Sequence, residues 1–349
     1  MKTKKLLAAV MLLGGAMAVN AQGVATSTET GYGVDTGVYL STTTSTVHIG
    51  YQAGKTSLGN NNTIVGHGAG SLATAAGTGS NNCFFGLSSG AKNTSGESNV
   101  FIGTNSGYTN TIGNYNICIG TGSGSNSGTV STSNSNLFIG HGAGSANVSG
   151  GGNVYLGFVS GVNCTGGGNV FIGSASGSNV TSVSNKLYIA NSGTTSPLIY
   201  GDFSGNKVGI GGYAPLSTSD GFPTTAGGAT LTNYKLFVQG GILAQEVRVA
   251  TTWADYVFDN DYKLRPLSEV EQYIAQNGHL PNVPSAEVVE ADGIEVGAMA
   301  KIQQEKIEEL TLYAIAQDKK IEAQQKQLEQ QQKEIEELKA AVKAISEKK

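Results

Sequence analysis

The sequence predicts a mainly β chain: a solenoid of parallel strands, then a small α+β module and a C-terminal parallel coiled coil. Three observations carry this. One short pattern recurs eight times between Val47 and Gly177, only six charged residues lie between Gln22 and Tyr200, and the last fifty residues hold six heptads. The clearest copies of the pattern read Asn99-Val-Phe-Ile-Gly103-Thr-Asn-Ser-Gly107 and Asn169-Val-Phe-Ile-Gly173-Ser-Ala-Ser-Gly177. The central glycines are Gly50, Gly66, Gly86, Gly103, Gly120, Gly140, Gly157 and Gly173, a period of 16 to 20 residues. Self-similarity at such a period marks a solenoid, whose units bury apolar surface only by stacking on their neighbours.

Each copy has three consecutive apolar positions before the central glycine, too few for a helix and enough for a short strand. The first and third share one face, because strand side chains alternate with period two. They are Val47 and Ile49, Val100 and Ile102, Val170 and Ile172, and their equivalents. The middle position points the other way and is mostly aromatic: His48, Ile64, Phe84, Phe101, Cys118, Phe138, Tyr155 and Phe171. A strand apolar on both faces is buried on both. We expect the first face to fill a thin coil interior. The aromatic column is then left for sister chains to cover, since small polar loops could hardly do so.

The glycines supply tight turns and close backbone approach. Each central glycine is followed four residues later by another, always preceded by Ala or Ser, and six copies carry a third glycine seven residues upstream. Asn stands four before the central glycine in seven copies, from Asn62 to Asn169. It is expected either to bond its neighbouring backbone or to build a ladder of amides between rungs.

The pattern Gly-x-x-Asn-(three apolar)-Gly-x-x-[Ala/Ser]-Gly resembles the head repeat of YadA-like trimeric adhesins. That resemblance covers about Thr44 to Ala190. It implies a left-handed parallel β-roll, a homotrimer around one axis, and adhesion to a host, matrix or glycan ligand. This sequence departs from those heads in carrying bulky aromatics where they often have Ala.

The first 21 residues read as an export signal: Lys2, Lys4 and Lys5, an apolar stretch from Leu6 to Ala18, then Val19-Asn20-Ala21. The chain is therefore expected to be secreted or displayed on the outer cell surface. No later segment is apolar enough to span a bilayer. The sparse charge, with a net of −4, offers no basic stripe for nucleic acid. Among the three cysteines, Cys83 and Cys118 occupy repeat positions on opposite strand faces and read as core hydrophobes. Cys164, in a turn, reads as a free thiol or an inter-chain link.

The expected order is signal peptide 1–21, N-terminal segment 22–44, β-roll head 45–190, neck 191–250, α+β module 251–297 and coiled-coil stalk 298–349. In the neck, Pro197–Phe203, Lys207–Gly211, Tyr234–Val238 and Ile242–Ala250 read as strands. In the module, a helix is expected from Leu267 to Gln276, with Ser268 and Glu271 as a capping box. Trp253, Tyr256, Tyr262 and Tyr273 are expected to form a small core. This segment resembles the C-terminal trimerisation modules of tail-fibre-like proteins, through Trp253-Ala-Asp-Tyr-Val-Phe258, Gly278-His-Leu-Pro281 and Ile307-Glu-Glu-Leu-Thr-Leu-Tyr313. Some phage chaperones of that kind cut themselves off, but the serine their motif needs is absent around Asp259–Lys263.

In the stalk, Ile307, Ala314, Ile321, Leu328, Ile335 and Val342 form one heptad row. Leu310, Gln317, Gln324, Gln331, Leu338 and Ile345 form the other. Leu312, Tyr313 and Ile315 lie off the seam, where the module is expected to pack.

The trimer interface is thus expected at Phe84, Phe101, Phe138, Tyr155 and Phe171 in the head. In the stalk it is expected at Ile307, Leu310, Ile321, Leu328, Ile335, Leu338 and Val342. No catalytic group, metal or cofactor is expected. His67 and His141 sit four rungs apart, about 20 Å at roughly 5 Å per rung, and His279 reads as structural. The expected function is a surface fibre acting as an adhesin, with Ser71–Thr78 and Ser125–Thr132 as candidate ligand loops. The alternative is a tail-fibre-like protein with a C-terminal trimerisation chaperone that releases itself.

Overall fold

The computed structural model describes residues 30–33, 45–71, 77–125, 130–212, 221–226 and 228–347. The expected export signal, nearly all of segment 22–44 and the middles of both candidate ligand loops lie outside the described residues. The chain divides into two compact units, Met1–Pro223 with Asn233–Ile242, and Thr224–Thr232 with Leu243–Lys349.

The first unit is a parallel β-solenoid. Its strands are β1 (Thr30–Tyr32), β2 (Val47–Ile49), β3 (Thr63–Val65), β4 (Cys83–Phe85) and β5 (Val100–Ile102). They continue as β6 (Ile117–Ile119), β7 (Leu137–Ile139), β8 (Val154–Leu156), β9 (Val170–Ile172) and β10 (Lys186–Ile189). Each strand pairs in parallel with the next, one per repeat, so the eight apolar triplets are the eight strands β2 to β9. The chain then folds back: β11 (Ile199–Asp202) runs antiparallel to β10, and β12 (Lys207–Ile210) antiparallel to β11. An ion pair of 3.1 Å joins Lys186 to Asp202 across the first reversal, both largely buried. Strand β15 (Leu236–Val238) closes the sheet beside β12.

Three glycine types have three separate causes. At the central position Gly103 has φ +126°, and a Cβ there would lie 2.8 Å from the backbone of Gly120 on the next rung. At the second position Gly107 has φ +57°, and a Cβ would meet the Phe101 ring at 2.5 Å. Upstream, a Cβ on Gly113 would lie 2.2 Å from the Ser133 carbonyl oxygen. The first two need the left-handed backbone region that glycine enters freely; the third needs only the missing side chain.

Of the two readings of the repeat asparagines, the inter-rung ladder is the one found. Asn99 Oδ1 accepts the Asn116 backbone N–H at 2.9 Å, while Asn99 Nδ2 donates to the Gly113 carbonyl at 2.8 Å. The same backbone-to-amide bond links Asn82 to Asn62, Asn99 to Asn82, Asn136 to Asn116, Asn153 to Asn136 and Asn169 to Asn153. All seven asparagines are buried, so these bonds satisfy turn groups that water does not reach. The small residue before the second glycine has a related use. The hydroxyls of Ser89, Ser106, Ser123, Ser160 and Ser176 donate to strand carbonyls of the next rung.

The second unit holds a two-stranded hairpin of β13 (Thr225–Ala226) and β14 (Ala229–Thr230), a short 3-10 turn at Asp255–Phe258, and three helices. These are α1 (Leu267–Asn277), α2 (Ala286–Asp292) and α3 (Val296–Ser346), the last a continuous 51 residues. Several details differ from the sequence reading. Pro266 takes the N-cap place of α1, so Ser268 lies inside the first turn and no side chain caps it. Helix α2 was not foreseen; its Ser285 cap accepts the Val288 N–H. Residues 242–250 form no strand and are exposed. Trp253 is exposed, and Ala254 and Val257 are the buried apolar residues of that segment.

Candidate functional site

The strand faces are assigned the opposite way from the expectation. Phe84, Phe101, Phe138, Tyr155 and Phe171, expected at a trimer interface, are at most 2 % exposed within a single chain. They form a column down the coil interior. Phe138, Tyr155 and Phe171 stack in sequence at 4.9 and 4.8 Å between ring centroids, and the column continues through Tyr188, Tyr200, Phe222 and Phe237. A coil of 16 to 20 residues per turn is wide enough to hold a ring. The second glycine of each copy lets the backbone lie directly on that ring, as Gly107 does on Phe101. The small loops thus cover what they were expected to leave bare.

The other face is the one left open. In register across the sheet run Ile49, Val65, Phe85, Ile102, Ile119, Ile139, Leu156, Ile172 and Ile189. A second row, two residues earlier, includes Val47, Cys83, Val100, Ile117, Leu137, Val154 and Val170. Phe85 is 55 % exposed, Ile49 40 % and Ile139 38 %. This is a two-row, mostly aliphatic ladder, interrupted by Thr63, Cys83 and Phe85, with no charged residue on β2 to β9. Along its edge, the turn residues after the central glycine make exposed ring pairs. Tyr51 stacks on His67 at 4.9 Å, and His141 on Phe158 at 5.3 Å.

Many polar side chains inside the coil are hydrogen-bonded, but among the described residues Thr46, His48, Asn147, Tyr155 and Tyr188 hold buried polar atoms without a partner. His48 takes an aromatic position of the column, 1 % exposed, with neither ring nitrogen bonded among the described residues. Burial lowers its pKa to about 4. Further along, the Tyr155 hydroxyl faces Cys164, Asn169 and Asn147 without closing a well-formed hydrogen bond. Burial foremost, then the neighbouring Cys164, pushes that phenol far up. Cys164 is fully buried, which places it away from any partner chain; Cys83 is half-buried on the outer face and Cys118 is inside. Burial also raises the Cys118 thiol. Among the described residues no group of three His, Cys, Asp or Glu is placed to hold a metal ion, and no helix is long and apolar enough to cross a membrane.

In the second unit α3 presents two opposed faces. One packs on its own module. Tyr256 donates to Glu305, Tyr262 donates to Glu309 at 2.5 Å, and Tyr313 donates to the Arg265 carbonyl. Lys306 sits between Glu305 at 2.9 Å and Glu309 at 2.8 Å. Burial alone would raise the Glu305 carboxyl, yet the bonds from Tyr256 and Lys306 hold it below its usual range. Its hydrogen bond to Glu305, with some burial, pushes Tyr256 up to about 12. Leu312 and Tyr313 are half-buried as expected of a packing face, whereas Ile315 is 47 % exposed.

At about 100° per residue, Glu305, Glu308, Glu309 and Leu312 share one side of α3. Ile307, Leu310 and Ala314 lie on roughly the opposite side. Every apolar residue of the predicted stalk interface is exposed in one chain, from 44 % at Ile335 to 66 % at Leu310. Compared with known family models, curated proteins and solved structures, the chain finds no match.

Proposed function

We propose that the chain is an exported, non-enzymatic surface fibre that works as a homotrimer and adheres through its solenoid head. One observation carries the reading: the uncharged, mostly aliphatic ladder on the outer face of β2 to β9, continued to β10. Soluble monomers rarely leave contiguous apolar patches beyond roughly a few hundred Å² uncovered, and a flat, repetitive face fits a second copy of itself. The bare heptad rows of α3 make the same demand by an independent route. Three is the copy number that the YadA-like head pattern implies, with its left-handed winding. The β-branched residues of the first heptad row are compatible with it. The interface of the head is accordingly assigned to Ile49, Ile102, Ile139 and Ile172 and their row, in place of the rings behind them.

Adhesion is supported by the long, sparsely charged repeat surface and its exposed ring pairs, and export by the Lys-rich, apolar start of the sequence. The mass of the mature protein in solution tests the assembly: three chains are expected, and a folded single chain at micromolar concentration overturns it. Cell fractionation tests the location. Binding of the purified head to immobilised matrix proteins or glycans, scored against a charge-matched control, tests the adhesive role.

A further inference from the structure

The C-terminal unit carries a cleft of about 430 Å³ along one flank of α3. Lys306, Leu310 and Tyr313 line it from the helix, and Leu267, Leu280 and Arg265 face them from α1 and the segments beside it. Leu267 is 60 % exposed, Leu280 41 % and Leu310 66 %, so the apolar lining is open. Ile307 and Leu310 belong both to the cleft and to the heptad rows. The cleft therefore runs into the stalk seam without a break.

Heptad geometry says what lies opposite. With Ile307 at position a, Lys306 and Tyr313 are g residues. In a parallel, in-register coil the g flank of one helix faces the e flank of the next. The e flank here is Thr311 and Asp318, with Ile315 beside them. Ile315 is the exposed isoleucine that belongs neither to the seam nor to the face packed on its own module. Charge agrees with this pairing. The cleft wall brings Lys263 and Arg265, while the approaching flank brings Asp318 and, one turn further, Glu322.

We propose that the cleft of each copy is roofed by the α3 flank of the next copy, with Ile315 over the Leu267–Leu280 lining and Asp318 opposite Arg265. The inference rests on the trimeric reading and adds to it a cyclic, head-to-tail contact, in which each module clasps its neighbour's helix as well as its own. Such a contact fixes copy number and register, and adds stability to a seam whose three successive glutamines set register at a cost.

The test uses full-length mature Cys83→Val chains carrying two different tags, one with Leu280→Cys and the other with Ile315→Cys, refolded together. Mild oxidation is expected to join the two tags in a disulfide, and neither variant alone is expected to cross-link. A trimer by sedimentation that yields no mixed-tag product overturns the cleft contact and leaves the trimer standing; a monomer overturns both. Independently, Arg265→Glu is expected to raise the concentration at which the assembly dissociates about tenfold, and adding Asp318→Arg to restore it. A double variant no tighter than Arg265→Glu alone overturns the pairing of those two residues.

Discussion

Phe101 stacks on Phe84 inside one chain, with ring centroids 5.1 Å apart and planes within 5° of parallel. The contact makes the aromatic column an internal spine, so the two strand faces should fail differently when altered. Phe101→Ala removes a fully buried ring and is expected to cost about 3–5 kcal/mol, read as a lower Tm. Ile102→Asp with Ile139→Asp changes only the outer ladder. That pair is expected to keep the folded β spectrum while abolishing association. If Phe101→Ala instead gave a stable monomer, the assignment of faces would be wrong.

The amide ladder makes Asn99 costly to remove. Asn99→Ala leaves the Asn116 N–H buried without a partner, while the Gly113 carbonyl loses one of its two donors and keeps Asn110 Nδ2, a cost on the order of 1–3 kcal/mol from one unsatisfied group. Denaturant titration of the isolated substitution reads this directly. A loss below about 0.5 kcal/mol would mean that water reaches the turn.

His48 predicts a pH dependence with a definite sign. Its pKa is about 4 in the fold and 6.5 when free, so between those values the unfolded chain holds a proton that the folded chain refuses. The stability present above pH 6.5 is lost as pH falls towards 4, by roughly 3 kcal/mol. His48→Phe matches the ring column and removes both unpaired nitrogens. It is expected to raise the Tm and to flatten the melting profile between pH 6.5 and 4. An unchanged profile would place the acid sensitivity elsewhere.

Val159 holds φ +47°, a conformation that a β-branched residue adopts only under strain. The equivalent positions Gln52, Ser88 and Asn105 also have positive φ, and none of them is β-branched. Val159→Asn is therefore expected to stabilise the head by about 1 kcal/mol, measured by thermal melting. A loss of stability would show that the valine's packing outweighs its backbone strain.

The triplets, the turns and the heptads were all legible in the sequence, because each rests on local spacing. Which strand face turns inward was not. Alternation groups Val100 with Ile102 and sets Phe101 against them, but it carries no label for inside. That label comes from the coil's width and from Gly107, whose missing Cβ makes room for the ring. The second glycine of the repeat was thus the available clue, and turn geometry alone did not reveal its contact with the ring. In the C-terminal unit, Pro266 displaced the expected capping pair. The seven-residue helix at Ala286–Asp292 is too short to declare a period. Residues 242–250 alternate like a strand but find no neighbour to pair with in the single chain.

The reversal at β10–β11 has a consequence for the protein's behaviour in bulk. A parallel stack is a template whose last rung invites another of its kind, including one from a different molecule. Turning the chain antiparallel there, with Lys186 paired to Asp202 between the two strands, covers the last of the repeat rungs with the chain's own β11. Rungs upstream touch only their immediate neighbours, so copies of the motif could be gained or lost over evolution while this stopper stays the same. The head would then vary in length as a ruler does.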